Sequence, residues 1–407
     1  MAASKRFKAG FSPTIDCAVL VVALEKGFAT DESLSLELVR RPSTADLLAD
    51  WETIDLQGLH LSATLPVASA LGLPDLPANL VAPFVLATGG ATFAVSQILH
   101  DDLAEQGMKI PDPGTLARSL ARVAASRQTA KLQPLVFAVE HRLAVSVFEL
   151  RYLLDSAHMR IGHDVNLVVA APVDMPKMLE TGDIDGFYVA EPHGTSAVLH
   201  GTARIVTTKS HIWQNAPEKV LAVSRDWAST QPATLEALLR ALYRSGEWCA
   251  SHANIEELAG ILAAPHYLDV DGDLILPALT GFISHSPVRM LERPGFFSTS
   301  SKAANFPWQS QALWFYSQML RWNDCPPEFA GDASAYEAAC EAFRPDLFRN
   351  AMKPIFAPVP AANMKLEGTL QVPVHVGASR SGLVLGPDAF FDGRIFDPEE
   401  IAPGNEN

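Results

Sequence analysis

The sequence predicts an α/β protein of two lobes or domains, on three observations. Short apolar runs alternate with segments of helical period along the first half of the chain, which predicts parallel sheets with helices on both faces. The 407 residues exceed what one hydrophobic core usually serves, which favours two units. Hydrophobic residues make up 48% of the chain and charged residues 19%, a composition typical of a globular protein.

The apolar pattern predicts the elements in chain order. Strands are predicted at residues 6–13, 34–41, 55–62, 79–87, 132–139, 165–172 and 184–192. Helices are predicted from near Asp16 onward and at residues 67–73, 115–126, 147–159 and 173–182. The last third is mostly helical, with clear 3.6-residue periodicity at 234–252 and 310–324. From Lys353 onward the chain is rich in proline and glycine, which predicts a tail wrapped over the surface.

The charge balance excludes one class of partner. The net charge of −15 argues against a nucleic-acid-binding surface, which needs clustered lysine and arginine. It also argues against a field that steers anions from a distance, so an anion site has to be local. The four cysteines, Cys17, Cys249, Cys325 and Cys340, have no Cys-x-x-Cys spacing, and we interpret them as reduced thiols.

The N-terminal residues bear on localisation. The apolar run CAVLVVAL at residues 17–24 is only eight residues long, follows Asp16 and continues into Glu25 without a small-residue cleavage site. A strand followed by a helix explains it better than a signal peptide. No run approaches the roughly 18 apolar residues that a membrane span needs. The sequence therefore predicts a cytoplasmic protein without a membrane segment.

Motifs for catalysis and metal binding are absent. The chain has no GxxxxGK[ST] loop, no GxGxxG after a strand, no HExxH and no GxSxG. The segment DVDGDL at 269–274 has Gly272 in the fourth position of a calcium loop instead of the sixth, and we interpret it as a surface turn. His158 and His163 are not at ligand spacing. We expect no catalytic residues, no metal and no cofactor.

Most candidate ligand contacts lie at the ends of predicted strands, where ligand-binding loops of α/β sheets lie, whereas Ser146 precedes a predicted helix and Lys219 heads an apolar strand. They are His60, the run Gly89-Gly90-Ala91-Thr92, Ser146, Ala190 with Glu191, and Lys219 in the stretch APEKVLAV. Each has a structural alternative. The glycine pair also suits a plain tight turn, Ser146 a helix cap, and Lys219 a solvated residue at a strand head.

Several longer matches favour the ligand-binding interpretation. Residues 12–29, SPTIDCAVLVVALEKGFA, resemble the opening of the nitrate-binding proteins of nitrate, cyanate and bicarbonate ABC importers. Further matches are HLSATLP (60–66), GDIDGFYVAEP (182–192), IWQNAPEKVLAVSRDW (212–227), the aromatic helix at 312–322 and FFDGRIFDP (390–398). They run from residue 7 nearly to the end in the family's order.

The resemblance implies a type II periplasmic-binding-protein fold, in which two α/β lobes are joined by two crossover strands and close on a ligand. Crossovers are expected at residues 88–94 and between 190 and 215. The implied domains are lobe I at 1–90 and 201–352, lobe II at 91–200 and the tail at 353–407.

The resemblance also implies the ligand and its contacts. In this family the ligand is a small planar oxyanion, and the lysine matching Lys219 contacts nitrate. One ammonium with several hydrogen-bond donors neutralises a buried monoanion without a metal. Bicarbonate-binding relatives carry an acidic residue there and recruit calcium, so Lys219 favours nitrate or nitrite.

The remaining contacts include two departures from the family pattern. The resemblance assigns donors to Gly89, Gly90 and Thr92 and a backbone contact to Ala190, with Glu191 beside it. Ser146 stands where the importers have a contacting histidine, and Leu61 where they have a tryptophan. We expect His60 to compensate for these departures.

The missing signal peptide favours one branch of the family, the cytoplasmic nitrate/nitrite sensors of the NasS type. Such a sensor sequesters an RNA-binding antiterminator and releases it when the anion binds, and the acidity of this chain suits a basic partner. The alternatives are the substrate-binding protein of an importer and an enzyme acting on pyrimidine precursors of thiamine. No cysteine-rich loop or histidine–acid constellation supports the enzyme.

Overall fold

The computed structural model describes residues 5–51, 53–376 and 382–403. The predicted first lobe therefore has residues 1–4 and 52 outside the described part, and the predicted tail has 377–381 and 404–407 outside it. The strands are β1 (Lys5–Phe11), β2 (Leu34–Arg40), β3 (Gly58–Ser62), β4 (Leu80–Gly89), β5 (Ala91–Ser96), β6 (Leu135–Val139), β7 (Val165–Val169), β8 (Gly186–Ala190), β9 (Ala203–Thr208), β10 (Pro217–Ser224), β11 (Phe282–Ser286), β12 (Arg289–Glu292), β13 (Phe297–Ser298), β14 (Val374–His375) and β15 (Val384–Leu385).

The helices alternate with these strands in the first half of the chain and dominate the last third. They are α1 (Ala18–Glu25), α2 (Phe28–Asp31), α3 (Thr44–Asp50), α4 (Leu65–Ala70), α5 (Gln97–Glu105), α6 (Pro113–Thr129), α7 (Val145–Asp155), α8 (Met175–Thr181), α9 (His193–Leu199), α10 (Lys209–Ile212), α11 (Arg225–Thr230), α12 (Pro232–Ala250), α13 (Ile255–Leu262), α14 (Gly272–Thr280), α15 (Gln309–Arg321), α16 (Ala333–Glu341) and α17 (Pro345–Met352).

Two sheets organise the molecule, and we name the two lobes after them. The first-lobe sheet has the order β13-β4-β10-β3-β1-β2, and the second-lobe sheet has the order β7-β6-β8-β5-β9. The prediction of parallel sheets is wrong in part, because each sheet is mixed. Strand β10 runs antiparallel to β3 and β4, and β5 runs antiparallel to β8 and β9. These are the strands with which the chain enters a sheet after crossing from the other one.

The first crossover passes through Gly89 and Gly90, between β4 and β5, where the resemblance implied it. Both glycines have positive φ, 72° and 80°. A Cβ atom on Gly89 would lie 2.0 Å from the carbonyl oxygen of Phe296, so the close approach of β13 to β4 requires glycine there.

The second crossover lies between β9 and β10, after Thr208. Because β9 belongs to the second-lobe sheet, that lobe extends past residue 200, where the sequence placed its end. The connector carries Trp213, of which 1% is exposed. Its ring stacks on Phe390 of the tail at 4.9 Å and lies 4.5 Å from the ring of Trp314 on α15. The Tyr152 hydroxyl of α7 donates to Asp392 at 2.8 Å, so the tail contacts both lobes.

A buried helix pair anchors the first lobe. Helix α1 is apolar along nearly its whole length and packs against α12, whose Ser245 hydroxyl donates to the Val19 carbonyl at 2.6 Å. All four cysteines are buried and unpaired. Within the described residues, no helix combines the length and apolar character that crossing a membrane requires.

Candidate functional site

Lys219 is fully buried where the two lobes meet. It lies on β10 of the first-lobe sheet, opposite Ser62 on β3, and only 1% of its side chain is exposed. Its Nζ atom donates to a carboxylate oxygen of Glu140, the residue that follows β6 in the second-lobe sheet. A buried ion pair therefore joins the lobes at the residue that the sequence singled out. The interpretation of Lys219 as a solvated residue is wrong.

Further charged side chains continue from this pair. Glu218, the neighbour of Lys219 on β10, lies 3.6 Å from the Lys219 Nζ atom and 3.2 Å from that of Lys209. Lys209 also contacts Glu149 of α7, whose other carboxylate oxygen accepts from the Tyr188 hydroxyl at 2.6 Å. The order Glu140, Lys219, Glu218, Lys209, Glu149 alternates in charge. We call these five side chains the charge row.

Asp16 and His60 form a second buried pair beside the charge row. The His60 Nε2 atom lies 2.9 Å from the Asp16 carboxylate, which also accepts from the Thr14 hydroxyl at 2.5 Å. The other ring nitrogen of His60 is 3.3 Å from the Ser12 hydroxyl. His60 thus lies close to the row, and its ring is held by side chains that follow β1.

We call the charge row together with Asp16 and His60 the buried cluster. Burial and neighbouring charges shift the pKa values of its members in different directions. Burial raises the pKa of Glu149 to about 7 and also raises that of Glu140, in spite of the lysine beside each. Burial also works against ionisation of Asp16, but His60 and Lys219 bring its pKa below the ordinary value. For Lys219, the carboxylates of Glu140, Glu218 and Asp16 outweigh burial and raise the pKa. Lys219 is therefore a permanent cation.

Several buried polar atoms of the cluster have no hydrogen-bond partner among the described residues. They include the Ser146 hydroxyl, one oxygen of Glu140 and one oxygen of Asp16. The start of α7 lies beside Lys219, because the Val145 N–H donates at 2.8 Å to the hydroxyl of Ser62, the cross-strand partner of Lys219. Unsatisfied buried polar groups cost about 1–3 kcal/mol each, so their concentration here fits a site for a polar ligand.

Gly89 and Gly90, the predicted donors at the first crossover, already use their backbone N–H groups in hydrogen bonds within the protein. The Gly89 N–H donates to the Ala216 carbonyl at 3.1 Å, and the Gly90 N–H to that of Phe296 at 2.7 Å. The structure therefore does not offer them as the anion donors that were expected. Ala190 ends β8 opposite Ala91 of β5.

Thr92 and Glu191 are likewise paired with each other. The Thr92 hydroxyl donates at 2.8 Å to Glu191, whose second oxygen accepts from the Thr195 N–H at 2.9 Å. Burial raises the pKa of Glu191 to about 7. These contacts hold the first crossover to the start of α9 and leave the Thr92 hydroxyl no free proton for a ligand, contrary to the expectation.

Leu61 does not reach the cluster. It pairs with Val220, and both side chains belong to the hydrophobic core, on the opposite face of β3 from His60 and Ser62. An aliphatic side chain suits that position because it is packed inside the core.

Sequence reasoning missed Glu140, Glu149, Lys209, Glu218 and Asp16 as members of the cluster. One signal was present, because Glu140 directly follows the predicted strand at 132–139, where the strand-end rule places ligand contacts. Among the described residues, no group of three or more histidine, cysteine or acidic side chains is arranged to hold a metal ion. The segment at 269–274 is instead a helix start, in which the Asp271 side chain caps α14.

Comparison with known proteins shows which family this chain belongs to and which proteins it is similar to. The model of the NMT1-like family matches residues 2–263, more than half of the chain. The chain belongs to the NMT1-like family. It is similar along most of its length to transport proteins. The nitrate import ATP-binding protein NrtC of Synechocystis sp. is 30% identical over 396 residues, covering 96% of this chain and 53% of the relative. The chain thus spans about half the length of that relative.

A binding protein is matched over more of its own length. The nitrate/nitrite binding protein NrtA of Synechococcus elongatus is 28% identical over 403 residues, covering 96% of this chain and 83% of the relative. The crystal structure of the periplasmic nitrate-binding protein NrtA from Synechocystis superposes with a TM-score of 0.81 at 22% identity, over 98% of this chain and 97% of that one. The predicted periplasmic-binding-protein fold is confirmed.

Proposed function

We propose that this chain binds nitrate or nitrite between its two lobes, as the substrate-binding component of an ABC importer. The observation that carries the proposal is the buried ammonium of Lys219, held by the first lobe against the second, in a chain similar to nitrate-binding proteins. A buried monoanion needs a charged partner and hydrogen-bond donors. Lys219 supplies the charge, and Ser146 supplies a hydroxyl that no described residue engages.

The importer function leads because the relatives reported above are named for binding and transport, and none is named as a sensor or an enzyme. The NasS-type sensor, its RNA-binding antiterminator partner and the cytoplasmic localisation remain predictions from the sequence. Pull-down of such a regulator with and without nitrate tests them. A switch from 1:99 to 99:1 needs about 5.5 kcal/mol of differential binding, so partner retention has to change clearly.

A calorimetric panel of nitrate, nitrite, bicarbonate, sulfate and cyanate tests the ligand. We expect heat with nitrate or nitrite, and an increase in the free energy of unfolding of about 2.7 kcal/mol when the anion is present at a hundred times its Kd. Binding of another anion alone would overturn the proposal.

Variants then test the assigned residue. Lys219→Glu removes the cation and is expected to abolish binding, whereas Lys177→Met removes an exposed lysine and serves as the control. Circular dichroism establishes that each variant is folded. Unchanged affinity in folded Lys219→Glu protein would remove Lys219 from the site.

A further inference from the structure

The charge balance of the buried cluster poses a problem for an incoming anion. Two lysines, Lys209 and Lys219, face the carboxyl groups of Asp16, Glu140, Glu149 and Glu218. The four carboxylates outnumber the two lysines when all are ionised. A further negative charge added to this interior is strongly disfavoured, because buried charge is tolerated only when it is paired.

Glu140 is the group that an anion has to replace. Its carboxylate accepts a hydrogen bond from the ammonium of Lys219, and the two side chains come from opposite lobes. Its second oxygen has no partner among the described residues. Glu149, by comparison, contacts both Lys209 and Tyr188 and is held within the second lobe. Glu140 therefore has fewer bonds to lose than Glu149, and it is the carboxyl group that holds the Lys219 ammonium by a hydrogen bond.

We propose that the anion enters this site together with a proton, which the Glu140 carboxylate takes up as the anion replaces it beside Lys219. The inference rests on the proposed function and concerns the regulation of the same site. The proton comes from solvent and stays on a Glu140 oxygen, so no bond other than this O–H is formed. One negative and one positive charge enter together, and the net charge of the buried cluster does not change.

The groups around Glu140 favour proton uptake there. From β10 it faces Lys219 and Glu218, and from the segment after β1 it faces Asp16, which is paired with His60 of β3. Burial, Glu218 and Asp16 all raise its pKa, and Lys219 opposes them. Once an anion binds the Lys219 ammonium in place of Glu140, Lys219 lowers the pKa of Glu140 less. The pKa of Glu140 therefore rises further. Its neighbour His141, with a pKa lowered to about 4 by burial, does not titrate in the same range.

The same balance sets the charge of the ligand. A monoanion is neutralised by one proton on Glu140, whereas sulfate brings two negative charges and would need a second proton on another buried carboxyl group. We therefore expect the site to take small monoanions and to exclude dianions of similar size. Glu140 is a specificity-determining residue in this scheme.

Calorimetry on the full chain tests the proton directly. Nitrate and nitrite are titrated at pH 6, 7 and 8 in pairs of buffers that differ in ionisation enthalpy and supply no small inorganic anion, PIPES against imidazole at pH 6 and 7 and HEPES against Tris at pH 8. We expect the observed heat to differ between the buffers by an amount equivalent to about one proton taken up per anion at the higher pH values. The affinity should fall by up to about tenfold per pH unit where Glu140 is ionised in the free protein.

The matched variants are Glu140→Gln and, as a control, Glu180→Gln on the exposed face of α8. We expect Glu140→Gln to bind nitrate with the same heat in both buffers, with little pH dependence and more tightly than the wild type at pH 8. Glu180→Gln should behave as the wild type does. Sulfate should give no heat with the wild type at any of these pH values.

The outcomes separate this inference from the function on which it rests. Nitrate binding by the wild type with buffer-independent heat overturns the inference and leaves the proposed function in place. Proton uptake that persists in Glu140→Gln overturns the assignment to Glu140. If neither nitrate nor nitrite binds to the wild type or the variant at any pH, the proposed function fails. Should Glu140→Gln not fold, the two-buffer titration of the wild type still decides whether a proton is taken up.

Discussion

Lys209 lies 3.2 Å from Glu218, although Lys209 follows the last strand of the second-lobe sheet and Glu218 belongs to the first-lobe sheet. Lys209 is fully buried and also contacts Glu149 within its own lobe. One ammonium therefore compensates carboxylates from both lobes, a few residues before the chain completes its second crossover. Its removal should affect stability more than that of any exposed lysine.

We expect Lys209→Met to lower the free energy of unfolding by roughly 3–5 kcal/mol, because it leaves Glu149 buried without its cation and removes one of the two lysines beside Glu218. Lys177→Met is the matched control, since Lys177 forms an exposed pair with Glu180 and should change stability little. Urea unfolding of both variants measures the difference. Equal stabilities would mean that the pair across the lobes contributes nothing.

The first crossover gives a second matched comparison. Gly89 and Gly27 have similar positive φ angles, 72° and 77°, but a Cβ atom on Gly89 would lie 2.0 Å from the Phe296 carbonyl oxygen, whereas one on Gly27 meets nothing within 4 Å. Gly27→Ala should therefore cost about 1–2 kcal/mol for the backbone conformation alone. Gly89→Ala should cost clearly more in the same thermal or urea unfolding experiment. Equal losses in the free energy of unfolding for the two variants would mean that the chain at β13 does not pack closely against Gly89 in solution.

Glu191 makes stability depend on pH. Its pKa is raised by burial to about 7 from an ordinary 4.5, so the folded protein keeps this proton to higher pH than the unfolded chain does. The resulting stabilisation is full below pH 4.5 and is lost as the pH rises through about 7. Relative to Glu191→Gln, the wild type should lose roughly 3 kcal/mol between pH 4.5 and pH 8. Unfolding curves of both proteins at several pH values check this, and parallel pH profiles would contradict it.

The tail is expected to stabilise the second crossover. Phe390 is 4% exposed and stacks against Trp213 and Trp314, so Phe390→Ala should cost roughly 3–5 kcal/mol. Phe356, at 92% exposure, is the control, and its replacement by alanine should have little effect. A small loss for Phe390→Ala would mean that the tail is only loosely attached in solution.

Much of the fold followed from local pattern, because each long apolar or amphipathic segment became the predicted element. Strand β4 and helices α12 and α15 are examples. Short elements were missed where the pattern was weak. Residues 193–208 form α9 and β9, but neither is long enough to display a clear period, and so the second lobe was ended too early.

The site was predictable only in part. Lys219 and the end of β6 could each be located from strand ends, but their pairing joins residues 79 positions apart in different lobes. No local pattern encodes such a contact. Leu61 could have been set aside from sequence alone, because adjacent strand residues point to opposite faces and His60 and Leu61 cannot both face one cleft.

Trp213 lies on the second connector between the lobes, and its indole is stacked on the Phe390 ring and adjacent to the Trp314 indole. Its emission spectrum and its quenching by the neighbouring indole depend on that stacking geometry. The protein therefore contains an intrinsic fluorophore at the second crossover between its lobes. Excitation of tryptophan in stopped-flow mixing with an anion would report any rearrangement at this crossover in real time, without a label, and Trp213→Phe would remove the signal that arises at the connector.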